Sequence, residues 1–151
     1  MPHFLLTPEN LARFCERQSF QYQQSPAGQL AVLYKLLGQP APLQLISWPE
    51  RNMLTLALTL PFTVPTERQA AVSEALTTLN AMSFMGAWVL NTDKGELYFR
   101  DTLPVLDNQY SDEGLLFVAK VVVSTAERLA PALYRIAREG ASPEIVVAAA
   151  S

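Results

Sequence analysis

Chemistry on a polypeptide begins with a few side-chain types, and this chain holds few of them in useful patterns. His3 is the only histidine, so any Ser-His-Asp relay would have to recruit it, and its place beside the chain start reads as an ordinary solvated imidazole. Cys15 is the only cysteine. It falls on the apolar stripe of a helix with no cation on the same face to stabilise a thiolate, which reads as a small core residue. The run Asp107-Asn108-Gln109-Tyr110-Ser111-Asp112-Glu113 approaches a calcium loop, but its sixth position is Asp112 where glycine is needed and its twelfth is Val118. It reads instead as a polar loop entering a helix. The sequence has no Gly-x-Ser-x-Gly elbow, phosphate-cradling glycine loop, dinucleotide fingerprint or His-x-x-x-His pair. No catalytic, cofactor-binding or metal-binding residue is expected, and none of the acidic residues pairs in a way that singles out a hydrolytic carboxylate couple.

Two other sets of residues could bind rather than react. Tyr22, Tyr34, Trp48, Met82, Phe84, Met85 and Trp88 are of the types enriched in interface cores, with core packing as the alternative for each. Arg128, Arg135 and Arg138, spaced i, i+7, i+10, could share one helix face as an anion-facing strip, the alternative being a solvated helix back.

These candidates need a frame. At 151 residues the chain suits one domain spanning 1–151, of a size that buries about 70% of its unfolded surface. Half the residues are hydrophobic and 17% are charged, a globular composition that is lean in charge against an average near 25%. The surplus apolar surface points to burial between subunits. A net charge of −3 repels phosphate backbones, so nucleic acid is not the expected partner. The single thiol excludes an internal disulfide and a zinc cluster built on several cysteines. The start lacks a basic, then apolar, leader pattern, and the longest apolar stretch, Gly114 to Val123 broken by Lys120, falls short of the roughly 20 residues of a membrane span. A cytoplasmic location is the expectation.

Thr7-Pro8 caps and opens a short amphipathic helix with Leu11, Phe14 and Cys15 inward. Period-two alternation predicts two strands, or one interrupted strand, from Phe20 to Leu36 about Pro26-Ala27-Gly28, and then a hairpin of Leu43–Trp48 and Leu54–Leu60 around Pro49-Glu50-Arg51-Asn52. Leu54, Leu56, Leu58 and Leu60 should share one buried face. Pro65 opens a second helix whose stripe is Val72, Ala75, Leu76 and Leu79, and a second hairpin, Ala87–Leu90 and Glu96–Arg100, follows with Leu97 and Phe99 inward. Ser111 caps a long helix from about Asp112 to Arg138, closed by Gly140, in which Pro131 is expected to produce a bend. The order α-β-β-β-α-β-β-α predicts an α+β domain, an antiparallel sheet of about five strands packed by three helices. If those helices cover one face, the Thr55, Ala57 and Thr59 side is open or meets another subunit.

At Leu58-Thr59-Leu60-Pro61-Phe62-Thr63-Val64-Pro65, Leu79-Asn80 and Gly95-Glu96-Leu97-Tyr98-Phe99-Arg100, and again at Val123 to Leu133 around Ala130-Pro131-Ala132-Leu133, the chain resembles the bacterial YbjN-like family. The resemblance runs from about Thr7 to Gly140 on fold-bearing pieces. It implies a fold similar to the class I chaperones of type III secretion, small acidic homodimers that hold segments of partner proteins, and a role among sensory-transduction or stress regulators. No catalytic residue comes with it. The resulting expectation is a noncatalytic homodimer binding an extended or helical segment of another protein. A nucleic-acid-linked regulator and an enzyme with an unrecognised carboxylate site are the rivals, and whether a small molecule binds stays open.

Overall fold

A computed structural model describes residues 2–151. A short strand β1 (His3–Leu5) leads into α1 (Pro8–Arg17), where the Thr7 hydroxyl accepts the Asn10 amide at 3.1 Å and Leu11, Phe14 and Cys15 are buried. The following alternation breaks up more than periodicity suggests. Strands β2 (Tyr22–Gln24) and β3 (Leu30–Val32) form one hairpin, and β4 (Lys35–Leu36) and β5 (Gln39–Pro40) a second, minimal one. Its turn holds Leu37 and Gly38 at φ of 52° and 74°, the pair of positive values that a two-residue turn of matching twist requires.

The hairpin of β6 (Leu43–Trp48) and β7 (Met53–Thr63) forms as the alternation predicts, joined by a 3-10 turn at Pro49–Arg51 and closed by Asn52 in left-handed geometry. A 3-10 turn at Thr66–Arg68 then feeds α2 (Gln69–Met82), which buries Val72, Ala75, Leu76 and Leu79. Next come β8 (Ala87–Asn91), β9 (Glu96–Pro104) and β10 (Gln109–Ser111), the last paired with β1. Ser111 accepts the Gly114 amide at 3.1 Å to open α3 (Asp112–Arg138), and α4 (Ile145–Ala150) closes the chain.

The main sheet is antiparallel throughout, in the order β2-β3-β6-β7-β9-β8. It therefore has six strands rather than about five, because the Phe20–Leu36 region contributes two. The small pairs β1-β10 and β4-β5 lie outside it. They were invisible to periodicity because two or three residues are too few to alternate. The fourth helix, α4, packs on α2 and α3, so the apolar tail docks on its own chain.

Helix α3 contains Val121-Val122-Val123 and Pro131 and still runs as one helix from Asp112 to Arg138. Burial of Val122 against the core outweighs the β-preference of the valines. Pro131 is on the exposed side; the carbonyl it leaves without a helical donor, that of exposed Glu127, can be served by water.

One core unites the molecule. Leu54, Leu56, Leu58 and Leu60 of β7 are each at most 3% exposed and join Leu43, Leu45, Leu30, Leu97 and Phe99 beneath α1, α2 and α3. Past Thr59 the β7–β9 register slips until Thr63 meets Glu96, a bulge at Leu60-Pro61-Phe62 that admits a proline in a central strand. Gly95, at φ 70°, lies under this bulge, where a Cβ would come within 2.7 Å of the Val64 carbonyl oxygen. The Gly95 motif is thus tied to the strand-to-helix junction. No helix among the described residues is long and apolar enough to cross a membrane.

Candidate functional site

The reactive types are placed in structural roles. His3 lies in the β1 ladder opposite Ser111. Cys15 is fully buried, and burial pushes its thiol up to about 11, away from thiolate. Asp112 receives the Arg17 guanidinium through two hydrogen bonds, Nε to Oδ2 at 2.6 Å and an Nη2 contact to Oδ1 at 2.9 Å, so the acidic stretch ties the start of α3 to the end of α1. Beside them the buried Tyr110 phenol is pushed up to about 12 by its burial, then by the Asp112 charge. Among the described residues, no group of three or more His, Cys, Asp or Glu side chains could hold a metal ion.

What the surface offers instead is apolar. At the end of α2, Met82, Phe84 and Met85 surround a groove of about 380 Å³ that also touches Val121 and Arg128 of α3 and Ala150 of α4. Phe84 is wholly exposed, and Met82 and Met85 are 45% and 37% exposed. The backbone beneath them is firmly held. Asn80 brackets Trp88, its Nδ2 donating to the Trp88 carbonyl at 3.0 Å while its Oδ1 accepts the Trp88 amide at 2.8 Å. Ser83 Oγ donates to the carbonyl of Met85 at 2.8 Å. Gly86 follows at φ 78°, where a Cβ would stand 2.5 Å from the Phe99 ring. Four of the seven aromatic and Met candidates therefore converge here, with one qualification: Trp88 is only 3% exposed and forms the floor, not the surface.

Trp48 lies elsewhere, on the sheet face that no helix among the described residues covers. The register arranges that face in rows. Gln44, Ala57, Arg100 and Ala87 form one row; Thr59, Tyr98 and Val89 the next toward Glu96; Ile46, Thr55 and Thr102 the next the other way; Trp48 and Met53 the last. All of these except Ala87 and Val89, together with Arg51 and Glu96, line a broad groove of about 530 Å³. Trp48 Nε1 donates to Thr55 Oγ1 at 3.1 Å, the two hydroxyls of Thr55 and Thr102 share a hydrogen bond of 3.1 Å, and the Arg51 guanidinium stands 5.9 Å from the Trp48 ring centre. Sequence reasoning picked out Trp48 and the Thr55-Ala57-Thr59 side but missed Met53, Tyr98 and Arg100. Only cross-strand register could have grouped them.

Tyr22 and Tyr34 join neither groove. The Tyr22 hydroxyl donates to Glu16 Oε1 at 2.9 Å on the edge strand β2, and Tyr34 packs against Phe20, with ring centres 6.4 Å apart, next to exposed Phe117 of α3. The arginines of α3 have three different sets of neighbours. Arg128 borders the Phe84 groove, Arg135 approaches Glu139 at 3.9 Å, and Arg138 is committed to Thr63, donating to its carbonyl at 2.8 Å and to its hydroxyl at 3.0 Å. The cause is helical geometry: ten residues carry Arg138 about 80° round the axis from Arg128, toward the sheet. A fourth arginine, Arg68, secures the end of α3 by donating to the carbonyls of Ile136 and Ala141 at 2.8 and 2.9 Å.

Comparison with known proteins agrees with this architecture. A family model described as "YbjN: Putative bacterial sensory transduction regulator" matches residues 7–135. Among solved structures, that of YbjN, "a putative transcription regulator from E. coli", superposes with a TM-score of 0.60 at 13% identity, covering 79% of this chain and 84% of that one. A chain of the ExsC–ExsE complex superposes with a TM-score of 0.62 at 16% identity, covering 83% and 94% respectively. No curated protein matches the sequence.

Proposed function

The chain belongs to the YbjN family, and from that premise we propose that it is a noncatalytic protein-binding module of a bacterial regulatory pathway that works as a homodimer. The observation that carries this reading is the one-sided sheet: six strands with helices on one face, the other face presenting Ile46, Trp48, Met53, Val89 and Tyr98 outward. Apolar patches of that kind set among polar groups are what protein interaction sites are made of. The Phe84 groove adds a second such patch at the edge strand β8, whose free side gives a second copy an unpaired strand to join. That a chain of the ExsC–ExsE complex has this fold supports a partner that is itself a protein.

The test combines mass with capture. Size-exclusion chromatography with light scattering is expected to give about twice 16.7 kDa, and immobilised protein is expected to retain a few reproducible proteins from bacterial extract. A strict monomer at micromolar concentration removes the dimer, and a retained fraction free of protein removes the module. The regulator reading that runs through nucleic acid is disfavoured by the net charge of −3 and by the engagement of Arg138. A gel shift at low salt is expected to show no retardation.

A further inference from the structure

We propose that the uncovered sheet face is a docking site for an acidic amphipathic helix of a partner protein, a reading that rests on the protein-binding function above. The choice of a helix follows from hydrogen bonding. An extended segment laid across a sheet face finds no backbone partners there, since the strands below have already used theirs, whereas a helix brings its own bonds satisfied. The opposite face of the same sheet is covered by helices for the same reason.

Charge selects the sign. Although the protein is net negative, this groove carries two arginines, Arg51 and Arg100, against one acid, Glu96. The ion pairs among the described residues are Arg17 with Asp112 and Arg135 with Glu139, which leaves both groove cations without a carboxylate. Arg100 is central and exposed, and its lateral neighbours are Ala57 and Ala87. Small residues on both sides leave the guanidinium accessible from above, where its planar fork can donate two hydrogen bonds to a carboxylate.

The layout also orients the ligand. From the Glu96 row to the Trp48–Met53 row is eight residues of β9, roughly 27 Å at 3.4 Å per residue, the length of about 18 helical residues. A positive helix N-terminus suits Glu96 and a negative C-terminus suits Arg51. Apolar side chains near the C-terminal end would rest on Trp48 and Met53, while a carboxylate two turns earlier, roughly 11 Å away, comes within reach of Arg100.

The test uses the full chain and two synthetic peptides of about 18 residues, each with a leucine face, one carrying Glu beside the centre of that face and the other Lys. The Glu peptide is expected to bind, shifting the amide resonances of Thr55, Ala57, Tyr98 and Arg100. The exposed substitution Arg100→Glu is expected to weaken it about tenfold or more and to confer binding of the Lys peptide, with Arg100→Gln intermediate and the melting temperature unchanged. Equal binding of both peptides, or resonance shifts at Met82 to Gly86 instead, overturns the proposal. A photo-crosslinker at Thr102 that joins two copies of this chain also overturns it, by assigning the face to a dimer. Partner capture that survives Arg100→Glu and crosslinks at Phe84 sinks the helix site alone; absence of any captured protein sinks the broader reading.

Discussion

The two faces of β7 come from one run of eleven residues and have opposite fates. The even-numbered leucines are sealed beneath three helices, while Thr55, Ala57 and Thr59 between them look onto an open groove. The difference lies in side-chain shape and in what each row can bond: four leucines on one side accept only apolar packing, whereas threonine hydroxyls, an alanine and the neighbouring Arg100 make a floor that is apolar in patches and able to pair with charge. A face of the first kind stabilises the fold, and one of the second kind can be left in water until a partner arrives.

The contrast can be broken most forcefully from inside. Leu56→Ala removes a fully buried side chain at the centre of the sheet and is expected to cost about 2–5 kcal/mol, read as a lower denaturant midpoint. One residue away, Thr55→Ala gives up the hydrogen bonds to Trp48 and Thr102 on the open face and is expected to cost less, about 0.5–1.5 kcal/mol. Equal losses at the two positions would show the outer face to be part of the core.

A smaller effect is expected at the seam between strand and helix. Arg68→Ala strips donors from the carbonyls of Ile136 and Ala141 and is expected to cost about 1–3 kcal/mol, with faster amide exchange at the end of α3. The inner side also has a distinctive alkaline response. Cys15, raised from 9.0 to about 11 by burial, and Tyr110, raised from 10.0 to about 12, are both neutral in the fold. Their raised values mean that the unfolded chain releases these protons first, so stability is intact below pH 9 and falls between about pH 9 and 12. Cys15→Ala should flatten the pH 9–11 part of the curve, measured by urea titration at each pH. The smallest stability change is expected at the surface, where Phe84→Ser should leave the midpoint within about 0.5 kcal/mol yet reduce partner capture or dimer content. If capture and mass both survive, the Phe84 groove has no part in either.

Much of the fold was legible because its strongest elements carry local signals. The cap at Thr7, the leucine alternation of β7, the stripe of α2 and the span of α3 from Asp112 to Arg138 all form where capping and periodicity predict. The two short strand pairs left no such signal, being too brief to show a period, while the small apolar tail from Glu144 to Ser151 suggested at most a last helical turn or two, where α4 forms. The candidate surfaces were legible in part. Met82, Phe84 and Met85 are close in sequence and stay together, whereas Arg138 is turned about 80° from Arg128 and held by Thr63.

The sequence by itself therefore determined the longer elements, the face each of them buries and the lack of a familiar catalytic pattern, because caps and periodicity act over a few residues. Only the tertiary structure decided that Trp88 lies under Phe84, that Arg100 stands between Ala57 and Ala87 opposite the helices, and that this face stays open. Those outcomes depend on strand order and register, which join residues far apart in the chain through hydrogen bonds that no local pattern encodes.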